Sequence, residues 1–326
     1  MTGPDLLAVH ADWSVDPRKR WMTLACRHAG AWRVAAPRPV GPLDDLLARL
    51  RAAAAGAPVV FGADLPLGLP RAYAARYAPD VDFPAFLRRL ADRPGFFIVC
   101  ETLDQIAPDR PFYPARGRAG MTRAAHAAAL GLRGPDELCR ACDRATAERP
   151  AGAPLFWTLG ANQAGKAAIV AWRDLLLPAL AGPLPPLLWP FAGALETLIR
   201  PGRIVIAETY PAEALRQLGL RLRGSKRRQT DRAALARPLR AVMATLVATP
   251  APDLAAALDS GCGADAAGED RFDSVLGLLC VLNVLAGHRP GSVPDDPAIR
   301  SWEGWVLGQT ALPRWTSGRG DSRTPA

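Results

Sequence analysis

Three short apolar stretches, far apart in the chain, end in the same way. Val59-Val60-Phe61-Gly62-Ala63 runs into Asp64 and is then cut off by Pro66, Gly68 and Pro70. A short apolar run bounded by Pro and Gly reads as a buried strand, and proline cannot prolong a hydrogen-bonded ladder. Upstream, Leu6-Leu7-Ala8-Val9-His10-Ala11 runs into Asp12 and then Trp13-Ser14. Downstream, Ile204-Val205-Ile206-Ala207 runs into Glu208 and then Thr209-Tyr210-Pro211. A lone carboxylate closing a buried strand is costly unless it is paired or binds a cation. If these strands are neighbours, their acids converge at one sheet edge, where open α/β sheets hold ligands.

The chain order supports such a sheet. Strand candidates at Trp21–Arg27 and Ala31–Ala36 follow the first, with turns short enough for an antiparallel meander. Leu43–Ala55 has helical periodicity with Asp44 and Asp45 in its first turn, and Gly56 and Pro58 end it before the Asp64 strand. Three strands, a helix and a strand returning beside the first form the opening of a ribonuclease-H-like fold. The expected class is therefore α/β, a mixed five-stranded sheet flanked by helices. Residues 71–200 differ in character, with helical segments at Phe83–Ala91, Met121–Leu130 and Asp136–Glu148 and a short strand candidate at Phe96–Glu101. We expect a mostly helical insertion there, splitting the sheet domain into residues 1–70 and 201–312. Glu269–Ala286 is apolar almost all round beyond Asp270 and Asp273, so it should be a buried helix. The Gly-, Ser-, Arg- and Pro-rich end from 313 to 326 is expected to be disordered, and its Arg319-Gly320-Asp321 is read as accidental.

Composition narrows the function classes. A hydrophobic fraction of 49% permits a sizeable core. The net charge of +9 permits a polyanionic partner, but arginines are spread along the whole chain and lysine occurs only at Lys19, Lys166 and Lys226. The six cysteines lie mostly in apolar segments and nothing at the start reads as a secretion signal, so a cytoplasmic protein with free thiols is expected. Cys139 and Cys142 have C-x-x-C spacing, yet no second pair stands at zinc-ribbon distance; one helix face is the plainer reading. Five prolines interrupt the apolar stretch Leu175–Leu195, and Val275–Gly287 is too short to span, so no membrane partner is expected.

Asp12, Asp64, Glu208 and Asp273 form the candidate catalytic and metal-binding set. Four acids from three strand ends and one buried helix cannot all ionise together without compensating charge. Mg²⁺ or Mn²⁺, which take oxygen ligands, would supply it, and a pair of such ions suits in-line phosphoryl displacement. In this scheme Asp12 bridges, Asp64 and Asp273 flank it, and Glu208 binds one ion or orients water. The alternative is that strand-end acids cap turns, Asp64 bonding amides of its own Pro-Gly turn. Lys226, in the basic turn Gly224–Gln229, is a candidate phosphate contact, and a solvated basic turn is the alternative.

A rival motif is Gly160-Ala161-Asn162-Gln163-Ala164-Gly165-Lys166, which has the G-x-x-x-x-G-K spacing between a strand-like segment and a helix. Ala167 follows where a P-loop needs Ser or Thr, so an anion-binding turn with Lys166 as a substrate phosphate contact fits better than an NTPase. The four histidines show no ligand spacing, and the tryptophans are expected to pack the core.

Taken together, Ala11-Asp12-Trp13-Ser14, Ala63-Asp64-Leu65-Pro66-Leu67-Gly68-Leu69-Pro70, Glu208-Thr209-Tyr210-Pro211, Ser225-Lys226, the late helical Asp273 and Glu303-Gly304-Trp305 resemble the predicted ribonuclease-H-like nucleases catalogued as domain of unknown function 429. Ser274 stands where an alanine would be expected. The resemblance implies a ribonuclease-H-like fold related to Holliday-junction resolvases and retroviral integrases. It also implies acids placed for metal-dependent phosphodiester cleavage of nucleic acid, DNA or RNA. A non-catalytic nucleic-acid or nucleotide-binding protein of the same fold is the other reading.

Overall fold

The structure, a computed structural model, describes residues 3–117, 119–160 and 163–313. Its centre is one mixed sheet of eight strands: β1 (Leu6–Asp12), β2 (Trp21–His28), β3 (Ala31–Val34), β4 (Arg38–Pro39), β5 (Val59–Ala63), β6 (Leu187–Leu188), β7 (Ile204–Glu208) and β8 (Ala248–Pro250). The order is β6-β7-β5-β1-β2-β3-β8, with β4 also pairing with β2. β1, β2 and β3 form the antiparallel meander, while β5, β7 and β6 run parallel to β1 and β8 runs parallel to β3. Five strands were expected. The additional β4, β6 and β8 have two or three residues each, too short for any alternation to register. β6 lies inside the stretch read as the helical insertion, yet it joins the sheet beside β7.

Both faces of the sheet are covered, which is why β1, β5 and β7 read as nearly unbroken apolar runs rather than alternating ones. Leu7, Val9, Ala11, Phe61, Ala63 and Ile206 point to one face and pack on the helix Leu46–Ala54 and on Phe83, Phe96 and Trp172. Leu6, Ala8, Val60, Val205 and Ala207 point to the other face, against the long helix Gly268–Leu285. Two glycines set how closely that helix approaches. A Cβ on Gly62 would lie 2.7 Å from Val281 Cγ2, and one on Gly277 would lie 2.1 Å from His10 Cε1. His10 is fully buried in this seam, bonded through Nε2 to Thr209 Oγ1 at 2.8 Å, and burial lowers its pKa to about 3. Ser274, the departure from the expected alanine, gives its proton to the Arg271 carbonyl at 2.7 Å and lies 2.7 Å from the Thr23 hydroxyl on β2.

Between β5 and β7 the chain is helical in part. Phe83–Arg89 and Arg123–Ala129 form as expected, but Phe96–Glu101 is not a strand: a 3-10 turn spans Pro94–Phe97. Nor is Asp136–Glu148 one helix. Two 3-10 turns, Pro135–Leu138 and Ala141–Asp143, replace it, and Arg140, extended between them, reaches Glu208. Trp172, Trp189 and Trp305 are among the largest fully buried side chains. Among the described residues no disulfide is formed, five of the six cysteines are buried, and no helix is long and apolar enough to cross a membrane. Residues 314–326, most of the expected tail, lie outside the described residues, as do Ala161 and Asn162 of the Gly160–Lys166 turn.

Candidate metal centre

The register brings two of the strand-end acids together. Ala11 of β1 is level with Ala63 of β5, and the Asp64 amide donates to the Ala11 carbonyl at 3.0 Å, so Asp12 and Asp64 leave adjacent strands at one level. Side chains alternate along a strand. Ala11 and Ala63 face the helix Leu46–Ala54, so Asp12 and Asp64 point to the opposite face, towards Asp273 in the second turn of Gly268–Leu285. Asp270, one turn earlier on that helix, is an acid that residue-by-residue reading did not assign. Its signal was the i, i+3 spacing from Asp273, which places both on one helix face.

The electrostatics are those of crowded acids. Burial, then the charges of Asp273, Asp64 and Asp270, push the Asp12 carboxyl well above its ordinary range, with Lys226 pulling the other way. Burial, then Asp273 and Glu208, hold Asp64 up to about 7. Burial raises Asp273 to about 6 against the opposing pull of Lys226. Asp270 is raised as well, and its Oδ2 is buried with no partner among the described residues. No hydrogen bond among the described residues ends on the carboxylates of Asp12 or Asp64. The turn-capping alternative for Asp64 fails for a specific reason: the Leu67 amide it would use donates to Glu208 Oε2 at 2.7 Å.

Lys226 is the cation of this cluster. Its Nζ donates to Asp273 Oδ1 at 2.7 Å and Oδ2 at 2.6 Å. Arg232, only 2% exposed, fixes the loop, donating to the carbonyls of Lys226, Gly261 at 2.7 Å and Gly263 at 2.6 Å. The neighbouring Arg228 pairs with Asp231 at 2.7 Å instead of joining the cluster.

Glu208 is placed differently. β7 pairs with β5 so that Glu208 stands opposite Ala63, one position short of Asp64, and it therefore points to the other face of the sheet. There the fully buried Arg140 grips it with two bonds, Nη1 to Oε2 at 2.6 Å and Nη2 to Oε1 at 2.7 Å. Arg140 also bonds both oxygens of Asp143 at 2.9 Å and the Leu67 carbonyl at 3.0 Å. The pair thus clamps the Asp64–Pro70 loop from one side. Trp172 Nε1 holds the Pro66 carbonyl at 2.8 Å, and the Leu69 amide reaches the Trp302 carbonyl at 2.6 Å. Gly68, at φ +132°, passes so close to Glu303 that a Cβ would lie 2.2 Å from its carbonyl oxygen. Arg140 could not be assigned from sequence, because its partner Glu208 lies 68 residues away in the chain.

Among the described residues, the group of three whose ligand atoms lie within 4.8 Å of one another is Cys142, Asp143 and Glu208, a buried group that could hold a metal ion. Arg140 already provides its counter-charge, and burial holds the Cys142 thiol well above its ordinary range. The Asp12, Asp64 and Asp273 carboxylates are not drawn that tightly together, as expected of like charges with Lys226 holding one of them aside.

A cavity of about 430 Å³ opens beside the acids, and Asp64, Glu208, Trp13, Lys19 and Lys166 are among its lining residues. Lys166, in the first turn of the helix Ala164–Val170, therefore stands at the same cavity.

No curated protein and no solved structure matches this chain. The family model described as Protein of unknown function (DUF429) matches residues 12–299, a span that holds Asp12, Asp64, Glu208, Lys226 and Asp273; the chain belongs to that family.

Proposed function

We propose that the chain is a metal-dependent phosphodiesterase acting on nucleic acid, built on a ribonuclease-H-like sheet. The central strands β3-β2-β1-β5-β7, three antiparallel and two returning parallel to β1, support that fold reading. The observation that carries the functional reading is the excess of negative charge where Asp12, Asp64, Asp273 and Asp270 meet, against which the cluster sets Lys226. Acids so perturbed in one cleft are the physical mark of a candidate functional site.

An oxygen-ligand set with an unpartnered buried carboxylate oxygen on Asp270 suits Mg²⁺ or Mn²⁺. Asp12, Asp64 and Asp273 would hold the ion, which when bound activates water and steadies a departing oxygen. The chain's own groups do the rest. Arg232 anchors the loop that carries Lys226, and the Arg140–Glu208 pair fixes the loop that carries Asp64. Glu208 is thus a positioning residue in this reading and leaves the ligand set. Lys166 meets substrate phosphate from the cavity side.

The test is cleavage of end-labelled DNA and RNA in Mn²⁺ or Mg²⁺. The reading expects cleavage by the wild type and at least a 100-fold loss in Asp12→Asn, the scale on which single electrostatic contributors act. Nucleic-acid binding without cleavage, unchanged in Asp12→Asn, would instead establish the non-catalytic reading. ATP hydrolysis abolished by Lys166→Ala would point to the P-loop reading, which Ala167 disfavours.

A further inference from the structure

The cavity beside the acids has a shape and a set of partners that the cleavage chemistry alone does not use. We propose that it receives one unpaired nucleotide, with the phosphate between Lys19 and Lys166 and the base against Trp13. The proposal rests on the nuclease reading and adds the form of the substrate.

Size comes first. About 430 Å³ lies within the range of roughly 300–1,000 Å³ that encloses small organic ligands. One nucleotide fits such a space, while a base still stacked and paired in a duplex cannot enter without leaving its neighbours.

Charge comes second. Four cationic side chains line the cavity, and two are consumed: Arg140 by Glu208 and Asp143, and Arg149 by Glu213. Lys19 and Lys166 take part in no ion pair among the described residues, so they remain for an anion. Both lysines and Asp64 line this one cavity, so a phosphate held between the lysines shares it with Asp64.

The third observation is Trp13. It is 7% exposed and lines the cavity, and its Nε1–H is buried without an acceptor among the described residues. The indole is held in place. Arg20 lies 5.4 Å from the ring centroid and donates to the Ser14 carbonyl at 2.5 Å and the Val15 carbonyl at 2.9 Å, fixing the rim of the cavity. Stacking on a fixed aromatic tolerates any base, so the pocket selects an unpaired nucleotide rather than a sequence.

The experiment is calorimetric titration of the full chain with deoxyadenosine 5′-monophosphate and with deoxyadenosine, in Mg²⁺, using wild type and Lys19→Ala/Lys166→Ala. We expect the monophosphate to bind at least roughly tenfold more tightly than the nucleoside, and the double variant to lose about that factor. Equal affinity for the two probes, no binding of either, or unchanged binding by the double variant overturns the proposal. A second arm compares linear and covalently closed circular single strands as Mn²⁺-dependent substrates. Given lysine-dependent monophosphate binding, cleavage of the linear strand alone identifies a terminal nucleotide as the one received, and cleavage of both identifies an internal one. If lysine-dependent monophosphate binding is found and no strand is cut, the pocket stands and the nuclease reading falls. If strands are cut but binding ignores both lysines, the nuclease reading stands and the pocket falls.

Discussion

Replacing Asp64 with asparagine stabilises the metal-free protein at alkaline pH. Burial first, and then the charges of Asp273 and Glu208, hold its carboxyl up to about 7 from an ordinary 3.8, with Lys226 opposing them. The folded chain therefore keeps this proton over a pH range in which the unfolded chain has released it. Stability falls with rising pH wherever the folded state binds more protons, so the loss runs from about pH 4 to about pH 7. At roughly 1.4 kcal/mol per tenfold change in acidity, the full difference is about 4 kcal/mol. Asparagine has the same shape and no proton to lose. The gain expected at pH 8 is about 1–4 kcal/mol, the lower figure applying if water reaches the ionised carboxylate. The assay is urea unfolding of both proteins in chelator at pH 4 and pH 8. Groups remote from the cluster titrate alike in both proteins, leaving a gap near zero at pH 4 that opens at pH 8 in favour of the variant. Mn²⁺ should then shrink the gap, since a ligand at 100 times its Kd adds about 2.7 kcal/mol to the protein that binds it. A variant no more stable than wild type at pH 8 refutes the claim that the fold holds this carboxyl in its protonated form.

Two other substitutions separate the roles assigned above. Glu208→Gln leaves the buried guanidinium of Arg140 with Asp143 as its one carboxylate partner. We expect a loss of about 3–5 kcal/mol in chemical unfolding, opposite in sign to the Asp64 result, whereas a mere metal ligand would unfold normally. Gly277→Ala drives a methyl into the His10 ring and should cost about 1–3 kcal/mol by thermal melting, with the damage confined to the seam between β1 and the long helix.

The elements that carry the acids were legible because their physics is local. β1, β5 and β7 are apolar runs ended by Pro or polar breaks, and the structure begins and ends them within a residue of the expected limits. The face towards which each acid points was not legible. β7 is apolar on both sides, so nothing in Ile204-Val205-Ile206-Ala207-Glu208 says whether Glu208 shares a face with Asp64. That depends on register with β5, and a shift of one residue reverses every side chain. Arg140 and Asp143 were hidden by a related cause. Their stretch is rich in helix-forming residues, and Arg140 bonds a carboxylate 68 residues away, which local propensity cannot sense. Asp270 could have been found from its spacing to Asp273. Lys19 could not, since only the assembled sheet edge brings it to the cavity.

The account rests on Asp12, Asp64 and Asp273 sharing one divalent cation, and anomalous scattering from a crystal soaked in Mn²⁺ tests this most directly. The account predicts manganese bound by oxygens of these three side chains, with Lys226 no longer bridging Asp273. Manganese held instead by Cys142, Asp143 and Glu208, or no manganese near Asp12 at saturating concentration, would contradict it.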